Sequence, residues 1–129
     1  MRAWLMLVVA VSGGLGAGLR YVVDSRLTPS AGSRFPVGIL VVNVSGSLAL
    51  GLVTGLGTVV APDLSLAIGL GLLGGYTTFS TVAVDTVLLA ERRRWRDAAL
   101  NLFGTLALAV AGAGVGIAAG TAIAAALGR

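Results

Sequence analysis

Four long apolar runs alternate with short polar segments along the chain. They cover about residues 4–23, 37–61, 64–90 and 98–127. Each run reaches the ~20 residues that a helix needs to cross the hydrocarbon core of a bilayer. Because backbone polar groups find no water there, they must be satisfied within each segment, and the runs therefore predict helices. The pattern predicts one all-α transmembrane domain over residues 1–129 with four spans.

The segments between the runs are typical of loops. Residues 28–33 form a cluster of helix breakers, residues 61–63 form a short turn around Pro62, and residues 91–97 are strongly charged. The first run has one alternative interpretation, a cleaved signal peptide, since Arg2 precedes an apolar stretch with small residues. That alternative leaves three spans, and we keep the run as the first span.

Composition supports the bilayer as solvent and argues against an enzyme. The chain is 57% hydrophobic and only 11% charged, whereas roughly a quarter of the residues of a soluble domain are charged. Cys and His are absent, which excludes disulfides, thiol nucleophiles and imidazole metal sites. The net charge of +4 comes from arginines between the apolar runs, which is typical of topology signals and not of nucleic-acid binding.

The third run has a polar centre. Gly74 and Gly75 each weaken a helix by roughly 1 kcal/mol relative to Ala, and threonine and serine dominate residues 77–81. A helix broken here frees carbonyls and amides near the bilayer midplane, where irregular backbone lines a cavity or is buried in protein. The alternative is a kinked helix whose hydroxyls bond the preceding turn. We favour the break, because the polar cluster is denser than a kink needs.

Further polar residues lie within or beside the apolar runs. Arg20 is expensive in a membrane and predicts a functional or paired group, the alternative being a side chain that snorkels to lipid phosphate. Asp85 either pairs with an arginine or marks the approach to the interface. Small residues at helical spacing in the second and fourth runs predict close helix packing, which does not explain the amides of Asn43 and Asn101.

Several of these groups suit a small anion. Donors that replace a hydration shell are the Asn43 amide and the hydroxyls of Ser80, Thr81 and Thr105. The edge of the Phe79 ring is electropositive and excludes water. The donor set permits a small anion without selecting one.

Three stretches, in order along the chain, resemble the Fluc/CrcB family of fluoride channels. They are residues 13–21 (GGLGAGLRY), residues 35–47 (FPVGILVVNVSGS) and residues 71–81 (GLLGGYTTFST). The resemblance covers nearly the whole chain. It implies a fluoride-specific ion channel in the bacterial inner or plasma membrane, which exports fluoride down its gradient and so relieves fluoride toxicity.

The family also implies an assembly and a set of site residues. The fold is an antiparallel, dual-topology dimer of four-helix subunits, each with a broken third helix, and backbone carbonyls of both third helices hold a central structural sodium ion. The resemblance assigns the sodium carbonyls to Gly74 and Thr77. It assigns the fluoride pore to Asn43, Phe79, Ser80, Thr81 and Thr105, and it leaves Arg20, Asn101 and Asp85 as candidates for a vestibule or interface.

Two positions depart from the family pattern. A second phenylalanine usually follows the first by three residues, but Val82 stands there, and Asn101 stands where the family often has tyrosine. These departures put in doubt conduction through a pore made from this subunit alone.

Loop charge bears on the assembly. Six arginines (26, 34, 92, 93, 94 and 96) lie in the first and third loops, against Arg2 and Arg129 on the other side. This bias places both termini outside. Together with Val82 it predicts an obligate heterodimer with an oppositely oriented paralogue, while a homodimer stays open.

Two other functions remain as alternatives. A small multidrug-type proton-coupled exporter shares the size and span count, but it needs an acid in its first span, and residues 1–23 contain none. A non-conducting assembly subunit is the other alternative, since pore residues can be lost while packing faces persist.

Overall fold

The computed structural model describes residues 3–28 and 35–128. It contains four helices of membrane-spanning length, Ala3–Leu27, Val37–Val59, Pro62–Glu91 and Trp95–Leu127. Within the described ranges every regular element is helical. The prediction of an all-α, multi-pass membrane protein with four spans is confirmed. Residues 29–33 of the first loop, and Arg2, Arg34 and Arg129 of the charge count, lie outside the described residues.

The helices extend past the apolar runs at several ends. The first helix continues beyond Val23 through Asp24 and Arg26 to Leu27, because polar residues can complete the last turns once the chain has left the hydrocarbon. The second helix ends in a 3₁₀ turn, Gly57–Val59, where Gly57 has a positive φ of 54°. Pro62 then begins the third helix at its first turn, a position that needs no amide donor.

The four helices pack in two pairs. The first helix lies against residues 67–76 of the third, and the second helix lies along the fourth. Glycines at the crossings set these distances: a Cβ on Gly16 would collide with the Leu72 carbonyl, and one on Gly116 would collide with the Leu48 carbonyl. Lipid is as apolar as leucine, so helices associate in it through close backbone packing of this kind.

Two helices widen locally to a π-helix, at Ala67–Leu73 in the third and Leu100–Gly104 in the fourth. The apolar patterning does not predict these turns. A π turn adds a residue to the helical repeat and shifts the register of the residues around it, and such turns are frequent at functional sites. The second of them contains Asn101 and ends immediately before Thr105.

The buried core is small. Among the described residues, its largest fully buried side chains are Ile39 and Val42 of the second helix and Asn101 of the fourth. Large apolar side chains of the first and fourth helices are mostly exposed. Such outer surfaces suit lipid or another subunit, and burial is greater in the second and third helices than in the first and fourth.

Candidate functional site

Regular helical structure in the third span stops after Tyr76 and resumes at Ser80. Thr77 has an extended backbone, with φ of −76° and ψ of 158°. Both its amide and its hydroxyl still bond the Leu73 carbonyl, each at 3.0 Å, and so close the first segment. Residues 77–79 thus form an interruption between the segment of residues 62–76 and the segment Ser80–Glu91.

Asn43 of the second helix binds both backbone groups of Thr78. Its Nδ2 donates to the Thr78 carbonyl at 2.9 Å, and its Oδ1 accepts from the Thr78 amide at 2.8 Å. In a continuous helix that amide would bond the carbonyl of Gly74, four residues earlier. Only 7% of Asn43 is exposed, so this paired contact explains why an amide lies within an apolar helix.

The Thr78 hydroxyl organises the start of the second segment. It accepts a hydrogen bond from the Thr81 amide at 3.3 Å and lies 3.2 Å from the hydroxyls of both Ser80 and Thr81. A threonine that accepts from an amide three residues later satisfies one of the free donors at a helix start. The hydroxyls of Ser80 and Thr81 are therefore tied to the interruption.

Arg20 reaches the interruption from the first helix. Its Nη1 donates to the Thr77 carbonyl at 3.2 Å. The side chain is therefore paired with protein, which is one of the two interpretations that its sequence position left open. The Arg20 guanidinium thus bonds the Thr77 carbonyl, which is one of the carbonyls that the family resemblance assigns to sodium.

A cleft of about 430 Å³ opens beside the interruption. Five predicted site residues line it, namely Asn43, Gly74, Thr77, Phe79 and Thr105. Apolar side chains of the fourth helix, Leu102, Leu106 and Ala109, form the opposite wall. Phe79 is 70% exposed, so its ring stands at the open side of the cleft.

Other predicted site residues lie outside the cleft lining. Ser80 and Thr81 contact the hydroxyl of Thr78, which does line the cleft. Asp85 is partly buried and has another acid, Asp24, as a charged neighbour. Within residues 3–28 and 35–128 it forms no salt bridge with an arginine.

Asn101 is in the interior, which differs from the vestibule or interface position that the resemblance left to it. None of it is exposed, and its Nδ2 donates to the Val82 carbonyl at 3.1 Å and to the Thr86 hydroxyl at 2.9 Å. Val82 is 3% exposed and forms part of the cleft wall. The two departures from the family pattern are thus in direct contact.

Sequence reasoning missed Thr78, Thr86 and Ser47. Thr78 acts through both its backbone and its hydroxyl, and Thr86 acts through a hydroxyl shared between the Val82 carbonyl and Asn101. Of these three, Ser47 could have been found from the sequence. It lies four residues after Asn43, so the two side chains share one face of the second helix, and Ser47 lines the cleft.

The chemistry of the cleft favours a small anion over a cation. One N–H of Asn43 remains after its bond to Thr78, and no carboxylate lies among the lining residues. The aromatic edge of Phe79 adds a weak anion contact, and the aliphatic wall excludes water. A lining with a few fixed donors suits a small ion that can accept hydrogen bonds from them.

Comparison with known proteins agrees with this chemistry. The family described as CrcB-like protein, Camphor Resistance (CrcB), matches residues 7–117. Fluoride-specific ion channel FluC 1 of Leifsonia xyli subsp. xyli (strain CTCB07) is 44% identical over 119 residues, covering 91% of this chain and 87% of the relative. Fluoride-specific ion channel FluC of Shewanella sp. (strain ANA-3) is 43% identical over 105 residues, covering 80% and 85%.

These relatives are named as channels and not as enzymes, in line with the composition. The match spans all four helices and includes the interruption, the cleft and the residues that clamp them. The chain therefore belongs to the CrcB family, also called Fluc.

Proposed function

We propose that the protein is a subunit of a fluoride-specific ion channel that lets fluoride leave the cell down its gradient and so relieves fluoride toxicity. The observation that carries the proposal is the Asn43 clamp on Thr78, which holds irregular backbone open beside a cleft without carboxylates. Relatives at 43–44% identity that are named fluoride-specific channels support it. The membrane is the inner or plasma membrane of a bacterium.

Fluoride is small and strongly hydrated, so its path must replace water with close donors. The free N–H of Asn43 and the hydroxyls around Thr78 supply donors on one side, and the edge of Phe79 supplies an electropositive contact. Larger halides would fit a narrow path less well and gain less from each donor. The groups that bond the backbone at the interruption therefore also favour the binding of fluoride.

The conducting unit in this proposal is an antiparallel dimer with two pores, formed either by two copies or by this chain and an oppositely oriented paralogue. The exposure of Phe79 supports an assembly, because a ring that is 70% exposed in one subunit cannot enclose an ion path by itself. A facing third helix would cover the open side of the cleft. The broken third helix then lies at the centre of the assembly.

A structural sodium ion between the two third helices fits part of the observed chemistry. The Thr78 amide binds Asn43 and is therefore not available to the Gly74 carbonyl, and carbonyl oxygens suit a hard monovalent cation. The Thr77 carbonyl accepts from Arg20 and keeps a second lone pair. Gly74 and Thr77 of both subunits would hold the ion, whose charge would fix the two interruptions to each other.

The alternatives gain no specific support from the structure. A proton-coupled multidrug exporter needs a titratable acid in its central cavity, and the cleft lining has none. The other alternative is a non-conducting assembly subunit, which the replacement of the usual second phenylalanine by Val82 keeps open. A flux measurement distinguishes such a subunit from a channel.

The experiment that tests the proposal is ion efflux from liposomes. The chain is reconstituted after purification on its own and, separately, after co-expression with a CrcB relative of opposite charge bias. We expect fast fluoride efflux, without chloride efflux, in at least one preparation, and slower efflux after dialysis from sodium into N-methylglucamine. Fluoride efflux from neither preparation would overturn the channel, and sodium-independent efflux would overturn the ion's role only.

A further inference from the structure

We propose that Asn101 is a positioning residue for the ion path: its amide fixes the backbone after the interruption and thereby the place of Phe79. This inference rests on the proposed channel function and goes beyond it. Asn43 binds the backbone at Thr78, and Asn101 binds it at Val82, four residues or about one helical turn later. Phe79 lies between these two points of attachment.

The ring of Phe79 cannot hold its own position within the subunit. It is 70% exposed, so packing against neighbouring side chains restrains it little, and its place follows from the backbone that carries it. That backbone is attached to the second helix through Asn43 and to the fourth helix through Asn101. Loss of the Asn101 attachment removes the restraint on the side of the fourth helix. The contacts of Arg20 with Thr77 and of Asn43 with Thr78 remain, so the segment can tilt about the interruption.

The orientation of the Asn101 amide is fixed by its partners. The Val82 carbonyl only accepts, so Nδ2 must face it. The Thr86 hydroxyl donates to the same carbonyl at 2.7 Å, which leaves its oxygen free to accept from Nδ2. Asn101 therefore acts as a donor to a carbonyl and a hydroxyl of the third helix.

The cost of this arrangement argues for a role other than stability. Asn101 Oδ1 is buried and has no hydrogen-bond partner among the described residues. A buried acceptor without a partner is unfavourable, and an apolar side chain of similar shape would avoid that cost. A residue kept at such a cost, bonded to the cleft residue Val82, suits positioning better than packing.

The variant Asn101→Leu tests this, because it removes the donor and the unpaired acceptor together. We expect the thermal midpoint in detergent to stay the same or rise, while fluoride efflux falls by about tenfold, equivalent to about 1.4 kcal/mol in the barrier, because the Phe79 ring is displaced. The fluoride-to-chloride ratio should fall with it. Thr121→Val on the same helix is the matched control for the polar-to-apolar change, since the Thr121 hydroxyl only bonds its own helix.

A double-mutant cycle shows whether Asn101 acts through Phe79. In a Phe79→Ile background, adding Asn101→Leu should lower efflux little further, because the ring that Asn101 positions is already gone. Losses that multiply would overturn the proposal. So would an Asn101→Leu protein whose efflux is unchanged, or one whose efflux and stability fall together.

Hydrogen–deuterium exchange gives a readout that does not depend on conduction. Amides of residues 79–83 should exchange faster in Asn101→Leu than in wild type or Thr121→Val. Unchanged exchange there would overturn the positioning role even if the channel conducts. If neither wild-type preparation, the chain alone or the co-expressed pair, carries fluoride, the proposed function fails, while the exchange result still decides whether Asn101 holds this segment.

Discussion

At the scale of single residues, two asparagine side chains hold the backbone of the third helix at the interruption and just after it. Asn43 pairs with both backbone groups of Thr78, and Asn101 grips the carbonyl of Val82. Each such bond contributes about 0.5–1.5 kcal/mol net in water-soluble proteins, and leaving the partners unpaired costs about 1–3 kcal/mol. In hydrocarbon no water replaces them, so the amide is the group that makes the interruption tolerable.

Asn43→Asp should abolish fluoride flux. The carboxylate still accepts from the Thr78 amide, but its second oxygen faces the Thr78 carbonyl, where Nδ2 now donates at 2.9 Å. The substitution therefore places a carboxylate oxygen against the Thr78 carbonyl oxygen, so that two acceptors face each other. It also places a negative charge in an anion path. Fluoride-electrode recordings of liposome efflux check it, with Thr54→Val as control, since the Thr54 hydroxyl bonds only the Leu50 carbonyl of its own helix. Flux at the wild-type rate would remove Asn43 from the path.

At the scale of elements, glycine contacts decide how closely the helices approach. Gly16 of the first helix lies against the backbone of the third helix at Leu72, just before the interruption, and Gly75 lies against Gly13 in return. This contact holds the segment of residues 62–76 while Asn43 and Asn101 hold the one that follows. The interruption is thus supported on both sides.

Gly16→Ala should destabilise the fold, whereas Gly18→Ala on the same helix should not. A Cβ at position 16 meets backbone atoms of Leu72 and Tyr76 and cannot be accommodated by a side-chain rotation, but at position 18 nothing lies within 4 Å. Overpacking of this kind typically costs about 1–3 kcal/mol. Thermal unfolding in detergent measures the difference, and equal midpoints for the two variants would show that the helices do not approach as closely as described.

At the scale of the whole molecule, the sequence predicts the four spans because apolar length alone decides them in a bilayer. It also singles out Asn43, Phe79 and Thr105, three of the residues that line the cleft, because they are polar or aromatic side chains within apolar runs. It does not predict which backbone group an amide meets, because that depends on how two helices pack. The contacts of Asn43 with Thr78 and of Arg20 with Thr77, and the π turns that set the register of Asn101, arise only in the folded chain.

Orientation in the membrane belongs to this scale and carries the last prediction. Of the six loop arginines, Arg26, Arg92, Arg93 and Arg96 are exposed at the same side, since the loops after the first and third helices face one way. This bias should hold the subunit in a single orientation, with both termini outside. A homodimer of antiparallel subunits needs both orientations, so we expect the chain alone to conduct no fluoride and an oppositely biased paralogue to restore conduction.

Two reporters at the C-terminus measure the orientation, a phosphatase that is active only outside and a fluorescent protein that folds only inside. We expect only the phosphatase fusion to be active, and both fusions to be active once Arg92, Arg93 and Arg96 are replaced by glutamine, because the charge difference that sets topology is then largely removed. Signal from both reporters with the native arginines, or fast fluoride efflux by the chain purified alone, would contradict the heterodimer. Either result would mean that the subunit inserts in both directions and that two copies of Val82 and Phe79 suffice to line the path.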